Sequence, residues 1–309
     1  YNSYASSTPV IEDGKLYVHF GSAGTACLET STGKTLWSRQ DLPCDHHRGP
    51  GSSPILHDDL LIVHFDGFDL QYVVAVNKTT GKTVWKTDRD INYGTDNGDA
   101  KKAYGTPLVI VHDGRKQLIS PAAVATTSYD PETGVQLWRV YHGGYNAATR
   151  PIYAHGLVII NLEGGMRLLA VRPDGTGDVT ETHVAWTYKK ATPTRPSQLV
   201  IGDHLYMVND KGIFTCLDYK TGEATWTERI GGAHSTSLIY ANGNVYCFDE
   251  QGVSYVIAAD NSKFRLVAQN TLDSGCMASP AVLGDALILR TKTHLYRIEN
   301  ANVESPGAR

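Results

Sequence analysis

A repeat runs through the whole chain and constrains its fold more than any other feature. Each repeat starts with a small polar or charged residue followed by Pro or a short apolar run, and the seven starts lie near residues 8, 53, 106, 150, 195, 236 and 279. A spacing of about 40 to 50 residues is typical of propellers and repeat arrays. The 309 residues are therefore predicted to form one repeat architecture.

A second landmark closes the repeats with a tight turn and an aromatic residue. Thr32-Gly33, Thr80-Gly81, Thr133-Gly134 and Thr221-Gly222 are each followed four residues after the Gly by a Trp, and Trp186 closes repeat four, so all five tryptophans lie in the closing part of a repeat. Gly supplies the positive φ that such hairpin turns require. Short β-rich runs separated by Gly or Asp lie between the landmarks, so each repeat is predicted to form four antiparallel strands, named A to D.

Burial requires these sheets to stack against one another, because one sheet cannot bury both of its faces. A closed ring of sheets leaves only short edges exposed. The sequence therefore predicts an all-β fold, a single β-propeller of about seven four-stranded antiparallel blades spanning residues 1–309. Asp260 to Lys263 replaces the Thr-Gly turn in repeat six, repeat seven ends without a strand D, and residues 300–309 are predicted to be a loose tail. Either the natural chain extends upstream or one blade has three strands.

The Ser/Thr-Pro start, the Tyr-Val strand and the Thr-Gly-Lys-x-x-Trp close resemble the PQQ-like, quinoprotein-type β-propeller repeat family over essentially the whole chain. The family includes eight-bladed quinoprotein alcohol dehydrogenases, an outer-membrane assembly scaffold and exported bacterial propellers. The resemblance implies export to the periplasm or cell surface. For the dehydrogenases it implies pyrroloquinoline quinone on a Trp, a disulfide between adjacent cysteines, and calcium. This chain has seven repeats and no adjacent cysteines, which disfavours the quinone.

Composition excludes several classes of function. The formal net charge of -4, without a long basic run, disfavours nucleic-acid binding. No apolar stretch reaches the roughly 18 to 20 residues of a membrane span. The five scattered cysteines match neither a zinc site nor a disulfide framework, and no GxSxG, Walker or HExxH motif is present. The first residues show no export signal.

Cationic and aromatic residues are concentrated just before the Pro landmarks, where the loops from strand D to the next strand A are expected to converge on the channel mouth. The candidate ligand-binding residues are His46, His47, Arg48, Lys102, Arg150 and Arg195. Guanidinium groups favour carboxylate, phosphate or sulfate, and tyrosines suit the apolar face of a sugar. An anionic small molecule or an acidic saccharide is therefore expected as the ligand. The competing interpretation is structural, with these cations paired to acids of the B–C loops.

Two classes of function stay open at this stage. The first is a binding or scaffold module that holds a ligand, or a protein partner on the propeller face, without chemistry. The second is a polysaccharide lyase, in which arginine neutralises a uronate and a nearby base removes the α-proton. The candidate catalytic residues are Tyr104, Tyr145, His142 and His234.

Two metal sites are also considered. Asp96, Asn97 and Asp99 offer oxygen ligands for calcium in the longest inter-blade insertion, although the spacing is not that of an EF-hand and an Asx-rich turn is the alternative. A transition metal is the second case, since His46, His47, His142 and His234 could meet across the channel.

Overall fold

The computed structural model describes residues 3–46, 49–146, 148–162 and 167–299. The described chain forms seven antiparallel sheets, which confirms the predicted all-β, seven-bladed β-propeller class. Two short 3-10 helices, Gly21–Ala23 and Gly98–Lys101, are the helical elements within these ranges. Neither approaches the length or apolar character that crossing a membrane by helix would need. Residues 300–309, the predicted loose tail, lie outside the described residues.

The chain divides into two compact units. Unit 1 is Tyr1–Lys190 and carries blades 1 to 4, and unit 2 is Ala191–Arg309 and carries blades 5 to 7. The single-domain organisation expected from the repeat stays a prediction.

The strands of unit 1 are β1 Val10–Glu12, β2 Lys15–His19, β3 Thr25–Glu29, β4 Thr35–Arg39, β5 Ile55–His57, β6 Leu60–Asp66, β7 Gln71–Asn77, β8 Thr83–Asp88, β9 Leu108–His112, β10 Arg115–Pro121, β11 Ala125–Tyr129, β12 Gln136–Tyr141, β13 Ile152–Ala154, β14 Leu157–Leu162, β15 Arg167–Val171, β16 Gly177–Asp178 and β17 Val184–Tyr188. Those of unit 2 are β18 Leu199–Ile201, β19 His204–Val208, β20 Ile213–Asp218, β21 Ala224–Arg229, β22 Ile239–Ala241, β23 Asn244–Phe248, β24 Val253–Ala258, β25 Leu266–Thr271, β26 Ala281–Leu283, β27 Ala286–Arg290 and β28 Leu295–Ile298.

Strands A to D follow one another in each sheet, so every blade has two distinct ends. The A–B and C–D turns lie at one end, which we call the turn end. The B–C loops and the D-to-A connections lie at the other, which we call the loop end. The last sheet has three described strands, as repeat seven predicted. The unpredicted strand β16 comes from the C–D connection of blade 4 and pairs in parallel with β12 of blade 3.

The tryptophan landmark joins blades 1 and 2 to the blade that follows each of them at the turn end. The Nε1 of Trp37 donates to the Lys78 carbonyl at 2.9 Å, and that of Trp85 donates to the Pro131 carbonyl at 3.0 Å. Gly81 has φ +72, and a Cβ added there would lie 2.7 Å from the Trp37 ring. The Gly therefore meets two requirements, a left-handed turn and close approach of the indole.

Trp138 reaches the next blade through an intermediary. Its Nε1 donates to Gln117 Oε1 at 2.7 Å, and Gln117 Nε2 donates to the Pro173 carbonyl at 2.8 Å. Pro173 lies in the C–D connection of blade 4, where the Gly of Thr176-Gly177 precedes Trp186 by nine residues instead of four. The buried amide of Gln117 thus preserves the inter-blade bond where the turn has changed.

The Ser/Thr-Pro landmark has its own structural cause. The hydroxyl before strand A accepts a hydrogen bond from the equivalent backbone N–H of the preceding blade. This bond joins Thr8 to Ser53 at 2.9 Å, Ser53 to Thr106 at 3.1 Å, Ser197 to Ser237 at 3.1 Å and Ser237 to Ser279 at 3.0 Å. We call these bonds the hydroxyl ladder. The ladder position of blade 5 is Ser197, two residues beyond the Arg195 start expected from the repeat.

The cores lie between neighbouring blades. Tyr17 of blade 1 packs with Val63 and Tyr72 of blade 2, while Trp138 of blade 3 packs with Ile160 of blade 4. In unit 2, Tyr206 and Phe214 of blade 5 pack with Val245 and Ile257 of blade 6. Burial of apolar side chains between neighbouring sheets supplies the stabilisation that was predicted from the stacking of the sheets.

Candidate functional site

The loop end of unit 1 brings together the D-to-A connections of blades 1 to 3. A Cβ added at Gly51 would lie 2.6 Å from the Cβ of Tyr104, so the second connection packs on the first. The backbone N–H of Asn146 donates to the Lys102 carbonyl at 2.9 Å, so the third connection is bonded to the second. Most of the sequence-predicted site residues therefore belong to one set of connected loops.

Arg150 interrupts the hydroxyl ladder. It directly precedes Pro151, the position at which Thr8, Ser53 and Thr106 carry hydroxyl groups. Arg150 is exposed at this position. At the loop end of blade 4, a guanidinium group therefore takes the place of the small hydroxyl side chain that blades 1 to 3 have at this position.

His46 lies buried beside blade 1. Its ring is 5.8 Å from the Phe65 ring, measured between centroids, and its Nε2 would be 2.5 Å from a Cβ added at Gly21. Cys44 Sγ approaches Nδ1 at 3.8 Å, whereas Nε2 is buried without a hydrogen-bond partner. Burial lowers the pKa of His46 despite the nearby Asp69 and Asp45 carboxylates.

His19, at the end of β2, lies near His46 and was not among the residues predicted from the sequence. Its ring packs on the Phe65 ring, with the two centroids 5.1 Å apart. Its Nδ1 lies 2.8 Å from Thr25 Oγ1. The Nε2 is buried and unpartnered. Burial, with a contribution from His46, lowers the pKa of His19 to about 3. The available signal was a histidine that ends strand B, just before a B–C loop.

His142 is fully committed to hydrogen bonds within the protein. Its Nδ1 donates to the Gly143 carbonyl at 2.7 Å, so Nε2 is the acceptor for Thr126 Oγ1 at 3.1 Å. Burial lowers the pKa of His142 to about 4, so the ring is neutral near pH 7. Arg167 donates through NH2 to the His142 carbonyl, while the Arg167 Nε is buried without a partner.

The insertion between blades 2 and 3 uses its polar groups locally. Asn97 Oδ1 accepts the Asp99 N–H at 3.0 Å and caps the 3-10 helix Gly98–Lys101. The Asp99 carboxylate pairs with the buried Lys102 ammonium, which lies 5.8 Å from the centroid of the Phe68 ring. Asp96 is exposed. The contacts match the Asx-turn alternative, and calcium binding at Asp96, Asn97 and Asp99 stays a prediction.

The remaining unit 1 candidates differ in exposure. Tyr145 is 45% exposed at the loop end, and Tyr104 is half-buried against Gly51. His47 and Arg48 lie outside the described residues. Their predicted roles, like those of Tyr104 and Tyr145, stay predictions.

The loop end of unit 2 holds the other two candidates in complete networks. Arg195 Nε donates to Asp210 at 3.0 Å, and its NH1 donates to Glu250 at 3.3 Å. This is the pairing with B–C loop acids that the structural interpretation expected. His234 Nε2 lies 2.8 Å from the Gly231 carbonyl and Nδ1 lies 3.2 Å from Cys247 Sγ, so both ring nitrogens have protein partners.

A buried polar network at the loop ends of blades 2 and 3 was also missed. Arg89 makes two hydrogen bonds to Asp66, at 2.7 and 2.6 Å, and a third to Ser120 Oγ at 2.5 Å. Ser120 Oγ also lies 2.9 Å from His64 Nε2. Burial opposes the charge on Arg89, but the Asp66 carboxylate more than offsets it and raises the pKa of Arg89.

Ser120, His64 and Asp66 have the residue types of a serine nucleophile triad, yet their arrangement is structural. All three are buried, and His64 Nδ1 is 4.0 Å from Asp66 Oδ2. The Asp66 carboxylate is committed to Arg89, so it does not orient the imidazole as a triad acid does. The network fixes the loop ends of two blades to each other.

Unpartnered buried polar atoms are concentrated at the loop end of unit 1. Among the described residues of that end they are His19 Nε2, His46 Nε2, Ser52 Oγ, His64 Nδ1, Tyr93 Oη, Asn146 Oδ1 and Arg167 Nε, while Tyr17 Oη, His57 Nε2 and Tyr129 Oη lie elsewhere in unit 1. In the described part of unit 2 they are Thr192 Oγ1 and Gln198 Nε2. An unpartnered buried polar group typically costs about 1–3 kcal/mol, so each of these atoms is a candidate for a hydrogen bond to a guest or to ordered water.

The residues described do not fit pyrroloquinoline quinone as the family resemblance implies it. The five cysteines are free and none is adjacent to another. The indoles of Trp37, Trp85 and Trp226 bond to the turn ends of neighbouring blades, and Trp138 is wholly buried. We therefore derive no step through a quinone.

Fold and repeat together define a PQQ-like β-propeller. A family model described as Outer membrane protein assembly factor BamB matches residues 2–87 and 69–305, and the chain belongs to this family. The resemblance predicted from the repeats is thereby confirmed.

Curated relatives include both branches that the resemblance named. Methanol dehydrogenase [cytochrome c] subunit 1 of Methylobacterium organophilum is 31% identical over 157 residues, which cover 44% of this chain and 23% of that protein. Outer membrane protein assembly factor BamB of Shewanella oneidensis is 21% identical over 314 residues, which cover 93% of this chain and 72% of the relative. The chain thus spans less than a quarter of the dehydrogenase subunit.

Solved structures show the same fold. BamB from Moraxella catarrhalis has a TM-score of 0.70 at 13% identity, covering 93% of this chain and 82% of that one. A quinohemoprotein alcohol dehydrogenase from Pseudomonas putida has a TM-score of 0.67 at 14% identity, covering 93% and 63%. At these identities the likeness concerns the fold alone.

Proposed function

We propose that this protein is an exported propeller-type binding module that holds an anionic or saccharide ligand at the loop end of unit 1. The observation that carries the proposal is the set of unpartnered buried polar atoms on the loops of that end, with Arg150 in place of a ladder hydroxyl. A carboxylated sugar supplies both what a guanidinium group binds and the hydroxyls that imidazole, hydroxyl and amide groups bind. The family relationship supports location in the periplasm or at the cell surface.

Calorimetric titration with a panel of uronate oligosaccharides tests this proposal. Arg150→Ala is expected to weaken binding about tenfold or more, because a charge-assisted hydrogen bond is worth about 1.5–3 kcal/mol. Arg195→Ala is the matched control, since Asp210 and Glu250 already neutralise that guanidinium. Equal losses in the two variants, or no binding across the panel, would contradict the proposal.

The lyase alternative is separated by the same panel. A lyase produces a new double bond, which is followed by its absorbance, whereas a binding module produces none. Since both ring nitrogens of His142 and of His234 have partners, Tyr104 and Tyr145 are the bases to test first. Turnover that Tyr145→Phe abolishes would replace the binding proposal with catalysis.

A second candidate function is to hold a protein partner, as the relatives named assembly factors suggest. The supporting observation is apolar exposure on the B–C loops of unit 1, where Phe20, Phe68 and Leu70 are exposed. The test compares the proteins that co-purify with the natural chain, with Phe20→Ser and with Val282→Ser. Val282→Ser is the control, because it alters an exposed apolar residue of unit 2. One partner lost only with Phe20→Ser supports the scaffold role, and identical recoveries contradict it.

A further inference from the structure

His57, Asp58 and Glu132 form a cluster at the turn end of unit 1, away from the proposed ligand site. His57 ends β5, Asp58 is in the following A–B turn of blade 2, and Glu132 is in the C–D turn of blade 3. One ligand atom from each residue lies within 4.8 Å of the others. Two blades thus contribute to one small group of nitrogen and oxygen atoms.

One distance in the cluster matches the spacing of neighbouring ligand atoms around a metal ion, and the other pairs lie within 4.8 Å. His57 Nε2 is 3.4 Å from Asp58 Oδ2. Bonds of about 2.0–2.2 Å in tetrahedral geometry place neighbouring ligand atoms about 3.3–3.6 Å apart. One imidazole with two carboxylates is a set that zinc accepts, and it leaves one position for water.

The cluster already attracts a cation. Lys116 Nζ lies 2.8 Å from Asp58 Oδ2 and 3.1 Å from Glu132 Oε1, so both carboxylates point at one positive charge. Because Lys116 is an exposed side chain on a flexible stem, an ion that binds the histidine as well displaces it at small cost.

The histidine supplies an independent observation. His57 Nε2 is shielded from solvent and has no hydrogen-bond partner, although its side chain is 13% exposed. Lys116 bonds to the Asp58 and Glu132 carboxylates and makes no hydrogen bond to His57 Nε2. A metal ion bound by the lone pair of Nε2 satisfies all three groups.

We propose that His57, Asp58 and Glu132 bind a zinc ion that joins blade 2 to blade 3 at the turn end. The next blade supplies an internal comparison. His112 and Asp113 occupy the equivalent A–B turn, with Nε2 3.5 Å from Oδ2, but no third acidic ligand completes that pair among the described residues. Zinc is therefore expected at the first turn and not at the second.

Titration of the full chain with zinc alone tests the proposal. His57→Ala and Glu132→Gln are expected to weaken zinc binding at least about tenfold, as loss of a ligand does, whereas the control His112→Ala leaves it unchanged. Lys116→Met is expected to tighten binding, because it removes the competing ammonium. Cobalt(II) in place of zinc is expected to show the visible absorption of a four-coordinate ion, lost in Glu132→Gln.

Two outcomes would overturn the proposal. The first is zinc affinity that Glu132→Gln leaves unchanged, or that His112→Ala weakens as much as His57→Ala, which indicates adventitious surface binding. The second is weaker binding in Lys116→Met, which shows that ammonium and zinc do not compete for one position. Neither outcome bears on the ligand site at the loop end, because Arg150 takes no part in the titration.

Discussion

The loop ends of units 1 and 2 are built on the same blade pattern but treat their polar groups differently. In unit 2, Arg195 pairs with both Asp210 and Glu250. The Ser235 hydroxyl also donates a hydrogen bond to the Glu250 carboxylate at 2.5 Å. In unit 1, histidine, serine, asparagine and arginine atoms are buried without partners. The comparison teaches that the repeat fixes the strands and turns of both units, whereas the pairing of the polar groups at their loop ends differs from one unit to the other.

The largest expected effect comes from the ion pairs of the two units. Arg89→Met leaves the Asp66 carboxylate buried and unpaired, so the free energy of unfolding is expected to fall by about 3–5 kcal/mol. Arg195→Met disturbs an exposed pair and is expected to cost about 1 kcal/mol or less. Urea titration measures both. Equal losses would show that burial does not distinguish the two units.

The next largest loss of stability is expected from replacing the Gly residues of the turn end of unit 1. Gly33 and Gly81 have φ of +73 and +72, so Ala at either position incurs a left-handed cost of about 1–2 kcal/mol. At Gly81 the added Cβ also lies 2.7 Å from the Trp37 ring, while at Gly33 nothing lies within 4 Å. Gly81→Ala is therefore expected to cost about 1–3 kcal/mol more than Gly33→Ala. Thermal unfolding of the pair checks this difference.

Acid is expected to destabilise the protein through the buried histidines of unit 1. The folded-state pKa of His19 is about 3 against an ordinary value of 6.5, so the unfolded chain takes up its proton first as pH falls. The contribution of His19 is present above pH 6.5 and is lost toward pH 3, by about 1.4 kcal/mol per pH unit between them. His19→Gln is expected to flatten the dependence of the urea midpoint on pH. An unchanged slope would contradict the pKa of this residue.

The smallest effect concerns the hydroxyl ladder. Ser53→Ala removes the acceptor of the Thr8 N–H and is expected to cost about 1 kcal/mol. Arg150→Ser restores a hydroxyl and is expected to stabilise unit 1 by a similar amount of about 0.5–1 kcal/mol, while ligand binding is lost. Urea titration and calorimetry on the same samples check both halves. A destabilised Arg150→Ser protein would show that Arg150 serves the scaffold.

The sequence predicted those elements whose cause is local. The Thr-Gly turns and the five Trp positions were predictable, because a positive φ or an aromatic position repeats along the chain, and the three described strands of the last blade followed from the same repeat. The sequence did not predict β16, the relay from Trp138 through Gln117, or the network of Arg89 and Asp66. These depend on which side chains of different blades meet, and one sequence carries no record of such distances.

The candidate site was predicted in part for the same reason. Placing His46, Lys102 and His142 on connected loops of one unit followed from the register of the repeat. The sequence did not predict which ring nitrogens have hydrogen-bond partners. Both nitrogens of His142 have one and Nε2 of His46 has none, and this difference depends only on the atoms beside each ring.

The sequence by itself determined the blade, its turns and the family, since these rest on backbone conformation and on a hydrophobic pattern that recurs with a fixed period. Only the tertiary structure decided which charges are neutralised, which buried atoms lack partners and where Arg150 breaks the ladder. The physical reason is that hydrogen bonding and electrostatics depend on separations of a few ångströms between residues distant in the chain, whereas turn conformation and periodicity are local.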